Sequence, residues 1–297
     1  MARLLITLWH IGANLHEEMT SSGRYLKLFF LILCVKDKDT KMNIPHILLT
    51  NDDGVDAKGI RILAELLSNF ADVLVMAPDG ARSGAACSIT PHTPLCYKKK
   101  SEYSRIQVYA CSGTPVDCIK LALEQFPDFK PDVIVSGVNH GDNASVSVHY
   151  SGTMGAVLEG CMKGYSSVGF SICDFSSDAD FSAIGIYVQD IVQWVLEKGL
   201  PKDVCLNVNF PKNDGDSYRG IKVCRMARGS WTSEWYEAQH PAGKKYYWLT
   251  GRFVNLEPES VDTDMQALEN GYVAVTPIKV DMTAHHVINE LKELEKL

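Results

Sequence analysis

Residues 46–54 read His-Ile-Leu-Leu-Thr-Asn-Asp-Asp-Gly, and this stretch decides the fold. His46-Ile-Leu-Leu-Thr50 is apolar without alternation, as a strand covered on both faces requires. It ends abruptly in Asn51-Asp52-Asp53-Gly54, a loop-forming sequence whose glycine can take positive φ. Ile60, Leu63, Ala64, Leu66 and Leu67 follow at helical spacing, and the next apolar run, Val73 to Ala77, closes a β-α-β unit with a right-handed crossover.

The same grammar recurs downstream. Asp132-Val-Ile-Val-Ser136 reads as a strand, followed by a Gly/Asn-rich loop and a helix over about 153–163. Further strands fit Val168 to Ile172 and Cys205 to Asn209, with a helix over 179–198 between them, while residues 79–112 are hairpin-like. Alternating strands and helices predict an α/β fold, a Rossmann-like, mainly parallel sheet with helices on both faces. After about Phe210 the composition shifts. Lys244-Lys-Tyr-Tyr-Trp-Leu-Thr250 and Tyr272 to Ile278 are strand-like, and a charged helix closes the chain near 283–296. The predicted organisation is a catalytic core over 42–210 and a smaller β-rich element with a C-terminal helix over 211–297. This element reads as an oligomerisation or lid element rather than an independent domain.

Composition narrows the function classes. The chain has 297 residues, 46% hydrophobic and 22% charged, which suffices for a substantial core. A formal net charge of -7 provides no global positive field for a nucleic-acid backbone, so nucleic acid is not expected as the main partner. Nine scattered cysteines without a C-x-x-C pair argue against a disulfide framework and against a zinc site, and favour reduced thiols in the cytoplasm. No apolar run approaches the roughly 20 residues that span a bilayer, so no membrane partner is expected. Residues 1–41 carry weak signal-peptide features, but Lys27 interrupts the apolar stretch and no small-x-small cleavage site follows. Met42 is the expected translation start, with 1–41 a non-native or disordered extension.

In open α/β sheets ligands sit outside the carboxyl ends of the strands. That rule selects residues 51–56, 78–90 and 137–153. Two adjacent carboxylates at the end of an apolar strand repel each other and lose solvation, a cost offset when a divalent cation sits beside them. Asp52 and Asp53 are therefore a candidate metal site; the competing reading is an Asx-type turn closed by Gly54. Ser83 and Asn139 lie in equivalent strand-end loops and would complete an all-oxygen set suited to Mg²⁺ or Mn²⁺ rather than zinc, although both residue types are common turn formers. Tyr150-Ser-Gly-Thr-Met-Gly155 precedes a helix and could receive a phosphate at its positive end, or supply an ordinary cap. Thr114-Pro115-Val-Asp117 matches a capping box with proline at N1, a structural feature. Arg82 could pair with a phosphate or be an ordinary surface arginine. His140 and His149 flank the same loop, and either could serve as general acid. The Tyr246-Tyr247-Trp248 cluster could stack on a base or belong to a core or interface.

With these residues in view, the chain resembles the SurE family of survival proteins across residues 44–285. The resemblance is carried by ILLTNDDGVDAKGI, VMAPDGARSGAACSIT, CSGTPVDCIKLAL, VIVSGVNHGDN, YSGTMGAVLEG, KKYYWLTG and DTDMQALENGYVAVTPI. It implies a Rossmann-like core with a swapped C-terminal element joining subunits into a homodimer or homotetramer. It also implies a metal-dependent phosphatase of nucleoside 5′-monophosphates, with 3′-monophosphates and short polyphosphates as further substrates to consider. On this resemblance one Mg²⁺ or Mn²⁺ is held by Asp52, Asp53, Ser83 and Asn139, with the two aspartates catalytic. Phosphate and substrate binding carry over onto Asn143, Ser151, Gly152 and Thr153. One departure is Ala144-Ser-Val-Ser-Val-His149, where the family is usually richer in glycine and acidic residues, which bears on substrate preference. An aspartyl-phosphate route is disfavoured, because Gly54 and Val55 follow Asp53 where a second acid-base aspartate would be needed.

Overall fold

The computed structural model describes residues 44–297 except 177, 214 and 216, so the expectations for residues 1–41 lie outside the described residues. Strand β1 (His46–Thr50) empties into the Asn51 loop, helix α1 (Lys58–Ser68) follows, and β2 (Asp72–Pro78) closes the first unit. The hairpin-like stretch becomes β3 (Tyr97–Tyr103) and β4 (Ile106–Cys111). Helix α2 (Pro115–Gln125) opens on the expected capping box, with Thr114 and Asp117 exchanging side-chain and backbone bonds and Pro115 in the first turn. Then come β5 (Val133–His140), a 3-10 turn (Ser145–His149), α3 (Gly152–Met162), β6 (Ser166–Ile172), α4 (Gly185–Lys198) and β7 (Val204–Phe210). Helix α4 starts six residues later than its apolar pattern suggested. Residues 179–184, although they include buried Ala179, Phe181 and Ile184, form turns over the sheet instead.

The chain continues through β8 (Ile221–Val223), β9 (Gly229–Thr232), β10 (Trp235–Gln239), β11 (Lys245–Leu249) and β12 (Arg252–Asn255). Helix α5 (Asp264–Glu269) and β13 (Val273–Lys279) follow. The closing charged segment is broken into two 3-10 turns around a four-residue helix, α6 (Ile288–Leu291).

The central sheet has nine strands in the order β3-β4-β2-β1-β5-β6-β7-β13-β8. The run from β4 to β7 is parallel. Numbered among themselves in chain order, these six strands lie 3-2-1-4-5-6, the doubly wound order in which the chain reverses direction across the sheet between β1 and β5. Beyond them, β13 pairs antiparallel to β7 and β8 parallel to β13, so the segment after Phe210 extends the main sheet. Its other strands make two small antiparallel sheets, β9 with β12 and β10 with β11.

Both faces of the parallel run are covered. Ile47, Leu49, Val73, Val75, Val133 and Val135 pack with α1 and α4 through Ile60, Leu63, Leu67, Val188 and Val192. Leu48, Leu74, Met76 and Ile134 face the other way, onto α2 and α3 through Cys118, Ile119, Ala122 and Ala156. Successive side chains of β1 thus enter different cores, which is why the strand is apolar without alternation. Each such buried aliphatic side chain stabilises the fold by about 1.5–3 kcal/mol. The frame holding the loop at Asp52 is therefore rigid. No described helix is long and apolar enough to cross a membrane, and all eight described cysteines are free.

Candidate active site

The loop after β1 is a tight Asx turn: Asn51 Oδ1 accepts from Gly54 N (3.2 Å) and Asn51 Nδ2 donates to Gly54 O (3.0 Å). Gly54 has φ +102°, and a Cβ there would stand 3.2 Å from the Gly80 carbonyl carbon, so glycine is required. The turn and the carboxylate pair are thus not rival readings. The turn presents Asp52 and Asp53 at the sheet reversal between β1 and β5.

The two carboxylates diverge. Asp52 is 3% exposed and accepts from Thr153 Oγ1 at 2.5 Å. Helix α3 meets it so closely that a Cβ on Gly152 would lie 2.8 Å from Asp52 Cβ. Burial pushes the Asp52 carboxyl up to about 6 and the charge of Asp53 adds to the rise, while the Thr153 hydroxyl opposes both. Asp53 instead faces His140, whose backbone N–H (3.3 Å) and Nδ1 (3.1 Å) both meet its Oδ2. The edge of the His140 ring packs on Phe181, with centroids 5.3 Å apart.

Ser83 lies exposed in the loop after β2, and the Arg82 amide beside it donates to the Asp52 carbonyl (2.7 Å), which ties that loop to the carboxylates. The Arg82 side chain turns away to Asp79 (3.0 Å) and to the Ser112 carbonyl (3.4 Å). Asn139 is the next-to-last residue of β5, one before His140. Its Nδ2 donates to Gly141 O (2.8 Å), which leaves its Oδ1 available as a neutral oxygen donor. Ser151 caps α3, its Oγ accepting from Met154 N (3.0 Å), and Gly155 N bonds to Ser151 O (2.9 Å). The first-turn amides of Gly152 and Thr153 have no place in the helix ladder and belong to its positive end. Asp52 thus meets Gly152 and Thr153 at the start of α3, Asp53 meets His140 at the end of β5 next to Asn139, and the Ser83 loop is bonded to the Asp52 backbone.

Asn143 sits differently. Its Nδ2 donates to Ser171 Oγ (2.7 Å), its backbone N–H to Asn209 Oδ1 (2.8 Å), and Asn207 Nδ2 donates to its carbonyl (2.8 Å). This buried network anchors the start of the 3-10 turn to the ends of β6 and β7. His149 is exposed, and Tyr246, Tyr247 and Trp248 lie exposed on the β10–β11 hairpin.

The donor set suits a hard divalent cation. Among the described residues no cluster of three or more His, Cys, Asp and Glu occurs, so a cation at Asp52 and Asp53 completes its shell with neutral oxygens and water, as Mg²⁺ and Mn²⁺ accept and a structural zinc does not.

The family model for Survival protein SurE matches residues 47–233. A 5′-nucleotidase SurE from Phocaeicola vulgatus is 53% identical over 252 residues, 85% of this chain and 97% of that protein. Another, from Bacteroides fragilis, is 51% identical over 251 residues, 84% of this chain and 98% of that protein. The crystal structure of the SurE protein from Aquifex aeolicus superposes with a TM-score of 0.72 at 35% identity, covering 84% of this chain and 100% of that one. The chain belongs to the SurE family.

Proposed function

We propose that this chain is a 5′-nucleotidase, a divalent-cation-dependent phosphatase that hydrolyses nucleoside 5′-monophosphates to nucleoside and phosphate. The observation that carries the reading is the carboxylate pair at the sheet reversal, with Asp52 bonded to Thr153 in the first turn of α3. Cation-binding oxygens and a phosphate-binding helix end meet there. The curated relatives, which bear the name 5′-nucleotidase SurE, support the activity.

In this reading Asp52, Asp53, Ser83 and Asn139 hold one Mg²⁺ or Mn²⁺. Such an ion would supply Lewis-acid polarisation of the phosphoryl oxygens and a lowered pKa for the attacking water. The Ser151 hydroxyl and the Gly152 and Thr153 amides receive the equatorial phosphoryl oxygens, donors already aimed where charge accumulates. Asp53 orients the water: it is more exposed than Asp52, and His140 occupies only its Oδ2. Asp52, fixed by Thr153, is the more rigid of the two. Water attacks phosphorus in line, the P–O bond to the nucleoside breaks, and the proton that the attacking water releases passes to the departing alkoxide, giving the nucleoside hydroxyl and hydrogen phosphate.

The reading extends to a homodimer or homotetramer and to a cytoplasmic location, the latter supported by the free cysteines. The test is phosphate release from nucleoside 5′- and 3′-monophosphates and short polyphosphates, with Mg²⁺, Mn²⁺ or EDTA, for wild type and Asp53→Asn. The expected result is release from 5′-monophosphates that EDTA abolishes, with kcat in Asp53→Asn lower by on the order of a hundredfold or more. Saturable nucleotide binding without release under either metal would make the chain a nucleotide-binding protein instead.

A further inference from the structure

We propose that Phe175 forms the stacking wall for the nucleobase, and so sets the preference of the site for nucleotides over other phosphate esters. The inference rests on the nucleotidase reading above and deepens it.

Phe175 lies in the loop after β6 and is 78% exposed, yet the residues on either side of it are bonded to the sheet ends and to each other. Gly141 N donates to both Ile172 O (2.9 Å) and Asp174 O (3.1 Å), and Asp174 N donates to Ile172 O (2.7 Å). Cys173 N is held by Phe210 O (2.9 Å) and Ser176 N by Asp174 Oδ1 (2.9 Å). The ring rests on the bare Cα of Gly141, where a Cβ would stand 2.2 Å from Phe175 Cε1. Gly141 follows His140, which bonds Asp53, and stands two residues after Asn139, at most about 7.6 Å away along the backbone. The ring thus stands beside the strand end that carries Asn139 and the Asp53-bonding His140.

Later residues of the same loop reach His140 and the start of α1. Phe181 packs against His140, and Lys58 donates to Ala179 O (2.8 Å), closing the loop over the start of α1. An aromatic ring on a loop whose neighbouring residues make four backbone–backbone bonds and one backbone–side-chain bond, with most of its face in water, gains little from burial. Its geometry suits a planar partner that arrives later, and a base stacks on such a ring whatever its identity.

The test uses the full chain with Phe175→Ala, Phe175→Leu and Phe175→Tyr, assayed on adenosine 5′-monophosphate and on ribose 5-phosphate, the same ester without a base. Phe175→Ala is expected to raise KM for the nucleotide about tenfold or more with little change in kcat, so that the kcat/KM preference for nucleotide over ribose 5-phosphate falls by the same factor. Phe175→Tyr retains the preference and Phe175→Leu, similar in bulk but without a π face, loses it. An unchanged preference in Phe175→Ala, or retention in Phe175→Leu, overturns the inference and leaves the nucleotidase reading standing. A change in particle mass with no change in preference assigns Phe175 to a contact between copies of the chain and likewise overturns it. If wild type hydrolyses neither ester, the nucleotidase reading itself fails and takes this inference with it.

Discussion

Asp52 answers two opposing demands, a buried position in the fold and a negative charge in the site. Its carboxyl is displaced from 3.8 to about 6, chiefly by burial, which corresponds to about 3 kcal/mol. Between pH 4 and pH 6 the folded, cation-free chain retains a proton that the unfolded chain has released, so the contribution of Asp52 to stability falls as pH rises through that window. In EDTA, wild type should therefore lose stability relative to Asp52→Asn between pH 4.5 and pH 7, and Mg²⁺ or Mn²⁺ at pH 7 should raise the melting temperature of wild type only. Urea unfolding at the two pH values measures this. Parallel curves for the two proteins would show that Asp52 carries no such displacement. At this scale the sequence exposes what is local. Adjacent acids at a strand end and a Ser-Gly-Thr before a helix are both readable in a few residues. The Thr153 bond to Asp52 spans 101 positions and the His140 bond to Asp53 spans 87, so no window of sequence contains either. Phe175 was missed for the same reason, since its significance lies in resting on Gly141.

Among the elements, the short helix α5 has an influence beyond its length. Asp264, its first residue, is fully buried and accepts from Ser145 N (2.8 Å), Ala227 N (2.9 Å) and Met265 N (2.8 Å). One carboxylate thus fastens the 3-10 turn beside the active site to the approach of β9 and to α5 itself. Asp264→Ala leaves these amides unpaired, at about 1–3 kcal/mol for each that water does not reach. The expected result is a urea midpoint lowered by an equivalent of about 3 kcal/mol or more, together with a fall in kcat/KM as the turn loosens. Asp264→Asn, which keeps one acceptor oxygen, should lie between. Equal midpoints for Asp264→Ala and wild type would refute the fastening role. Thr263 caps the helix, its Oγ1 accepting from Gln266 N, a contact within four residues. The tie to Ser145 crosses 119 positions. The parallel strands were legible because covering both faces forces unbroken apolar runs. The place of β13 beside β7 was not, because a strand's sequence does not name its neighbour.

For the molecule as a whole, the β10–β11 hairpin poses the remaining energetic problem. Its register sets Tyr236 opposite Trp248 and Ala238 opposite Tyr246, so one face of the ribbon is aromatic. Tyr246 and Trp248 pack edge to face at 6.1 Å, yet Trp248 is 60% exposed. The opposite face carries the Lys245–Glu237 ion pair and the Tyr247 hydroxyl bonded to Glu237, with the exposed pair Trp235 and Leu249 at its end. A two-stranded ribbon is marginal alone, and an uncovered aromatic face makes it a contact surface. A second copy of the chain is the occupant that the proposed homo-oligomer supplies. Light scattering should then give a mass of two or four chains of 32.9 kDa. Lysines at two directly opposed positions, Tyr236→Lys with Trp248→Lys, remove the apolar face and place like charges together, so the particle mass should fall while the melting transition of the core persists. A wild-type mass of one chain would end the oligomer reading, and an unchanged mass in the double variant would move the interface off the hairpin.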